Sequence, residues 1–238
     1  IQQMYMSFST AISGILLPRI TSMTSQKGSE KQVSDLFIKT GRLQFIIMSF
    51  ILAGFVVFGR QFINLWVGNE YDLAYYVCIL FFVPLLVPLI QNVAISILQA
   101  RNQMKFRSLL YLAISVASFI ASLPLTKYYG ILGCATATSI ALFLGHVLIM
   151  NVYYHKKVSL DIISFWKEIF KMALAPILLS LIAFYLTDYL IIDTWIKFLV
   201  GVIVFSLVYG IIFWLFSMNT YEKTLALSLV NKIKKKRK

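Results

Sequence analysis

Long apolar runs follow one another along this chain of 238 residues. Each is close to the length a helix needs to cross a membrane. A spanning helix takes about 20 mostly apolar residues, because each residue rises about 1.5 Å and the hydrocarbon layer is ~30 Å thick. Seven stretches meet that requirement: residues 1–20, 43–67, 73–100, 106–126, 130–154, 169–189 and 195–216. The first is the least apolar. A transmembrane barrel would instead show segments of about 10 residues with alternating polarity. Charged residues are 13% of the chain and apolar or aromatic ones 60%. That is too little charge to cover a soluble domain of this length. The expected class is all-α, a polytopic transmembrane helix bundle of seven spans.

The basic residues test this division. Alternate connecting segments hold Arg19, Lys27, Lys31, Lys39 and Arg42, then Arg101, Lys105 and Arg107, then Lys156, Lys157, Lys167 and Lys171. The tail adds Lys223, Lys232, Lys234, Lys235, Lys236, Arg237 and Lys238. The segments between them hold only Arg60, Lys127 and Lys197. Basic residues stay on the cytoplasmic side of a membrane protein. The asymmetry therefore predicts seven spans with a cytoplasmic C-terminus. The net charge of +13 is topological, and no nucleic-acid partner is expected.

Three units follow. Residues 1–155 hold the first five spans, residues 156–218 the last two, and residues 219–238 a basic amphipathic tail. Two spacings predict helix starts outside the spans. Ser29 with Gln32, and Asn219 with Glu222, can form reciprocal capping boxes. The first predicts a helix through Val33, Leu36 and Phe37 into the second span. The second puts Tyr221, Leu225, Leu229 and Ile233 on one face. The tail's lysines suit topology anchoring, and anionic lipid headgroups are a further partner. Cys78 and Cys134 lie within apolar runs and read as small core hydrophobes without a disulfide. The chain begins at Ile1 with no signal-peptide pattern, so its true N-terminus is expected to lie upstream.

Polar residues inside the spans are the candidate functional residues, because they are costly in hydrocarbon unless paired or wetted. Asn92, Ser96, Gln99 and Gln103 recur on one helical stripe, with Gln91 beside it. Such a stripe either glues helices together or lines a wet cavity. Pro84 and Pro88 kink the same span by freeing backbone carbonyls. Gln3, Ser7, Thr10 and Gly14 form a second stripe on the first span, which ends near Pro18. His146 shares a face with Thr136, Ser139 and Phe143 and is either a substrate-facing, titrating group or a neutral residue bonded between helices. Ser115, Ser118 and Ser122 suit close helix contact.

No span carries a central Asp or Glu, so no carboxylate relay is expected. No nucleophilic, metal-binding or phosphate-cradling constellation is present in the sequence either. An enzyme is not expected, and neither is a cofactor or metal.

Four segments in order carry a resemblance. These are Gly14-Ile-Leu-Leu-Pro18-Arg19 with Lys27-Gly28-Ser29-Glu30, then Phe62-Ile-Asn-Leu-Trp66-Val-Gly68-Asn-Glu70-Tyr71, then Ile97-Leu-Gln99-Ala-Arg101-Asn-Gln-Met-Lys105, then Tyr129-Gly130-Ile-Leu-Gly133-Cys134-Ala-Thr-Ala-Thr138. Over residues 1–155 the chain resembles the second lobe of bacterial polysaccharide flippases. These are the O-antigen and capsule repeat-unit translocases of the multidrug/oligosaccharidyl-lipid/polysaccharide exporter superfamily. The last two spans are generic.

The resemblance implies a multi-pass protein of the bacterial cytoplasmic membrane. Two lobes would rock around a central cavity in alternating access. It implies a lipid-linked oligosaccharide as substrate, membrane lipids as surroundings, and a missing N-terminal lobe. Polysaccharide polymerase and glycosyltransferases would act beside it. Gln3, Ser7, Thr10, Gln91, Asn92, Ser96, Gln99 and His146 would then be pathway candidates. Arg42 and Arg101 would draw the pyrophosphate to the cytoplasmic mouth. Gly130 and Gly133 would allow a tight turn and close packing, and Gly68 would end its span in a left-handed cap. An ion-coupled exporter of small drugs on the same fold is the second expectation. A membrane enzyme of envelope-glycan synthesis is the third.

Overall fold

The computed structural model of the chain describes residues 2–11, 30–187 and 192–236. Among them the regular elements are all helical. The first helix, α1, covers residues 2–11. Gly14, Pro18, Arg19 and Ser29 lie outside the described residues, and with them half of the first capping box. The order continues α2 (Glu30–Val67), α3 (Asp72–Ile90), α4 (Asn92–Ala100) and α5 (Met104–Leu142). A π-helical turn, Phe143–Ile149, leads into α6 (Met150–Lys157). Then come α7 (Ile162–Thr187), α8 (Trp195–Ile212) with a second π turn (Phe213–Ser217), and α9 (Thr220–Lys236). Among the described residues five helical segments are long and apolar enough to cross a membrane.

The helix expected through Val33, Leu36 and Phe37 does continue into the second span. It does so without a break, so α2 is 38 residues long. α2 is the spine of the bundle and packs against α3, α7 and α8. Phe37, Met48 and Val57 on its inner face are almost fully buried. Phe37 stacks on Phe165 of α7 at 4.7 Å, and Phe58 meets Phe205 of α8 edge-on at 5.7 Å. The two trailing helices therefore share one core with the earlier ones. Outward faces stay apolar: Leu199, Ile203, Leu207 and Ile211 of α8 are all more than half exposed. Such a surface suits hydrocarbon rather than water.

The fourth and fifth spans form a hairpin within the long segment Met104–Lys157. Residues 118 and 138 would be about 30 Å apart in a straight helix. Instead Ser118 Oγ donates to Thr138 Oγ1 at 2.9 Å. The chain reverses at Gly130, whose φ of 59° and ψ of −138° suit only glycine. Gly133 lies where the arms cross, and a Cβ there would overlap the Leu125 carbonyl. Both glycine roles inferred from the resemblance are met.

Other expectations are corrected. The third span is not one helix, because it breaks at Gln91 and resumes as α4. Gly68 does not make a left-handed helical cap. Its φ is 100° but its ψ is 166°, and its N–H still bonds the Asn64 carbonyl at 3.1 Å. It turns the chain into a short 3₁₀ turn, Asn69–Tyr71. Cys134 is exposed and Cys78 half-buried, both as free thiols, so neither is a core residue. The capping box of α9 forms as expected: Asn219 Oδ1 accepts from the Glu222 N–H and Glu222 Oε2 from the Asn219 N–H, each at 2.9 Å. Yet Glu222, rather than Tyr221, turns toward the bundle; Tyr221 is 48% exposed.

Candidate functional site

The polar centre of the bundle is built on the break between α3 and α4. Proline has no N–H to give to the carbonyl one turn earlier. Pro84 thus frees the Leu80 carbonyl, and Ser139 Oγ of α5 donates to it at 2.6 Å. Past Pro88 the helix yields at Gln91. There Ser9 Oγ of α1 donates to the Leu89 carbonyl at 2.7 Å. Asn92 Nδ2 donates to the same Ser9 oxygen at 3.3 Å, and Gln44 Nε2 of α2 to the Ser9 carbonyl at 3.4 Å. Three helices and the break are joined by one buried serine.

A second set lies on the other side of the break. Gln91 Nε2 donates to Asn151 Oδ1 at 2.8 Å, and Trp166 Nε1 of α7 donates to the same oxygen at 3.0 Å. Asn151 Nδ2 donates to the His146 and Val147 carbonyls of the π turn, at 3.0 and 2.9 Å. A π turn displaces carbonyls from their usual partners, and the amide supplies new ones.

The candidate residues divide accordingly. Gln91, Asn92 and Ser96 are buried, and the first two hold helices together. Gln99 is exposed at the end of α4. Gln103 belongs to the start of α5 and keeps a buried Oε1 without a partner. The stripe predicted from Asn92 to Gln103 is therefore split across two helices. Gln3, Ser7 and Thr10 form an exposed face of α1, opposite buried Tyr5 and Ser9. Ser7 and Thr10 bond carbonyls of their own helix. His146 is buried in the π turn, with its ring 4.9 Å from that of Tyr111.

Arg42 is not an open cation at a mouth. Its guanidinium is buried and bonded to Glu222 and Glu168, which neutralise it. Arg101 is half-buried and gives Nη1 to the Val158 carbonyl at 2.8 Å. Sequence reasoning missed Ser9, Gln44 and Asn151. The only signal they carry is polarity within or beside an apolar run, and each lies on a different helix.

Larger crevices lie around this centre and are apolar. One of about 550 Å³ opens between α2, α7 and α8, with Val57, Ile182 and Val204 in its wall. Another of about 400 Å³ lies between α1, α2 and α8, with Phe8, Phe55 and Val202 in its wall. Among the described residues no group of three or more His, Cys, Asp or Glu side chains is placed to hold a metal ion. No family model, curated protein or solved structure matches the chain.

Proposed function

We propose that this chain forms one lobe, with two trailing helices, of a flippase that carries lipid-linked oligosaccharide repeat units across the cytoplasmic membrane of a bacterium. The C-terminus would be cytoplasmic, as the sidedness of the lysines and arginines argues. The observation that carries the reading is the broken α3–α4 helix beside the uncovered polar face of α1. Broken helices in membranes occur where backbone is buried in protein or lines a cavity, and they mark transport sites in repeat-built transporters. Gln3, Ser7 and Thr10 cannot face lipid without cost. They call for water or a second lobe opposite them. Neutral amides and hydroxyls there suit sugar hydroxyls. Arg101, with guanidinium donors beyond the one given to Val158, suits the pyrophosphate. The motif resemblance over residues 1–155 supplies the substrate class, and polymerase and glycosyltransferases would act before and after the transport step.

The test is complementation in a bacterium lacking its own repeat-unit flippase. Gln3→Leu with Thr10→Val lowers polymer export several-fold at equal membrane abundance. Both residues are exposed, so the pair leaves the core intact. Unchanged export overturns the pathway assignment. Unchanged export with altered drug resistance favours the ion-coupled exporter.

A further inference from the structure

Beyond Glu222 the chain carries charge of one sign. Residues 223–238 hold Lys223, Lys232, Lys234, Lys235, Lys236, Arg237 and Lys238 and no Asp or Glu. The first five of these lie within α9. α9 starts anew rather than prolonging α8, because Met218 is extended, with φ −80° and ψ 135°. Its first turn is fixed where the spans end. Glu222 is buried against Arg42 of α2, and Lys39 of α2 stands 5.7 Å from the centre of the Tyr221 ring. From that root its 17 residues reach about 25 Å.

Helical spacing sets Glu222, Ala226, Leu229 and Ile233 on one stripe, at i, i+4, i+7 and i+11. Leu225 and Val230 widen it on either side. Lys223 and Lys234 then fall on one flank of the apolar sector, and Lys232 and Lys235 on the other. An apolar face bordered by lysines is the pattern of a helix lying in a membrane interface. Leu225 and Ala226 are only half-buried, and neither belongs to the hydrophobic core of the bundle. Among the described residues α9 is held by the charge of Glu222 at its root and not by apolar packing.

We propose that α9 lies along the leaflet on its own side of the membrane and binds acidic phospholipid headgroups through Lys223, Lys232, Lys234 and Lys235. A soluble polyanion would meet the lysines but leave the apolar stripe in water. A leaflet meets both: hydrocarbon takes Leu229 and Ile233, and headgroups take the flanking cations. Because Glu222 ties the first turn to Arg42, which also holds Glu168 of α7, docking of α9 would brace the junction of three helices. The surface stands apart from the polar face of α1 and does not rest on the flippase reading.

The experiment uses the whole chain in nanodiscs of phosphatidylcholine, alone or with added phosphatidylglycerol. Backbone hydrogen exchange is followed over residues 223–236. Exchange there is expected to be at least about tenfold slower with phosphatidylglycerol, and high salt is expected to remove the difference by screening the headgroups. Lys232→Gln, Lys234→Gln and Lys235→Gln together are expected to abolish most of it, whereas arginine at the same three positions keeps it. Leu229→Ser with Ile233→Ser is expected to reduce it at unchanged charge. Equal exchange of the wild type in the two discs overturns the proposal. So does a phosphatidylglycerol effect that the glutamine or the serine variant leaves unchanged. So does equal slowing in phosphatidylcholine discs by inorganic phosphate or polyuridylate, which would make α9 a binder of soluble anions.

Discussion

The Arg42 guanidinium grips the Glu222 carboxylate through two parallel hydrogen bonds, Nε to Oε1 at 2.6 Å and Nη2 to Oε2 at 3.0 Å, across 180 residues of sequence. Nη1 takes Glu168 of α7 at 2.6 Å, and Nη2 also reaches the Ser217 carbonyl at 3.4 Å. The pair is almost fully buried, with side chains 6% and 2% exposed. Removing the sole partner of a buried charge costs about 3–5 kcal/mol, but Arg42 has a second carboxylate in Glu168. Glu222→Gln keeps the capping geometry of α9 and removes only the charge. Because Glu168 still meets the Arg42 charge, the change is expected to lower stability by clearly less than that amount. The double change Arg42→Met with Glu222→Leu is expected to recover more than half of it. Unfolding in mixed micelles reads both, and a double variant less stable than either single one would contradict the account.

A serine from another helix answers a proline twice. Pro84 frees the Leu80 carbonyl for Ser139, and Pro176 frees the Met172 carbonyl, to which Ser217 Oγ donates at 3.0 Å. Ser217→Ala strands the buried Met172 carbonyl and is expected to cost about 1–3 kcal/mol, while Ser139→Ala strands the half-buried Leu80 carbonyl and is expected to cost about 1 kcal/mol. The backbone N–H restored by Pro84→Ala can fill the Leu80 carbonyl from within α3. The loss caused by Ser139→Ala is therefore expected to shrink in a Pro84→Ala background. Equal losses in both backgrounds, measured by the same unfolding assay, would remove the link between proline and serine.

How far the sequence led is clearest at three places. The apolar runs marked the helices because spanning length is set by the membrane and not by tertiary detail. The Asn219–Glu222 spacing marked a helix start because capping is local, and both bonds form. The α3–α4 break was only half legible. Pro84 and Pro88 announce a kink, but the position where the helix yields depends on Ser9, 80 residues away, reaching the Leu89 carbonyl. Arg42 misled for the same reason. Read within its own segment it is an exposed cation, and its partners Glu168 and Glu222 lie 126 and 180 residues onward. Asn151 joins Gln91, Trp166 and the π turn, and nothing near it in sequence distinguishes it from a loop-end amide.

The α5 hairpin rests on two glycines that fail differently when changed. Gly130→Ala places a Cβ on a backbone with φ 59° and ψ −138°, at about 1–3 kcal/mol of strain, but nothing lies within 4 Å of that Cβ. Gly133→Ala meets the Leu125 carbonyl instead, so the two arms must separate. A spin-label pair on the arms is expected to move apart in Gly133→Ala and to keep its distance in Gly130→Ala. Identical distances in both variants would mean that the arms do not depend on the close approach.

Asp161 caps α7, with Oδ1 accepting from the Ser164 N–H at 2.9 Å while its own N–H is held by Ser34 Oγ of α2 at 2.8 Å. The Ser164 side chain and backbone hold its carboxyl below the usual carboxylate range. A carboxyl lowered by folding stabilises the fold above its unfolded value, about pH 4. That contribution is lost as pH falls through the lower folded value. Asp161→Asn keeps a capping oxygen but does not titrate there. Wild type is therefore expected to exceed Asp161→Asn in stability near neutral pH, by less than about 1 kcal/mol because the group is largely exposed and screened. The difference is expected to vanish below about pH 4. Asp161→Ala loses the cap itself, at about 1 kcal/mol, and that loss relative to Asp161→Asn is expected to persist at every pH. Melting curves of the three proteins between about pH 3 and pH 7 separate charge from cap. A wild-type advantage over Asp161→Asn that grew as pH fell would reverse the sign argued here.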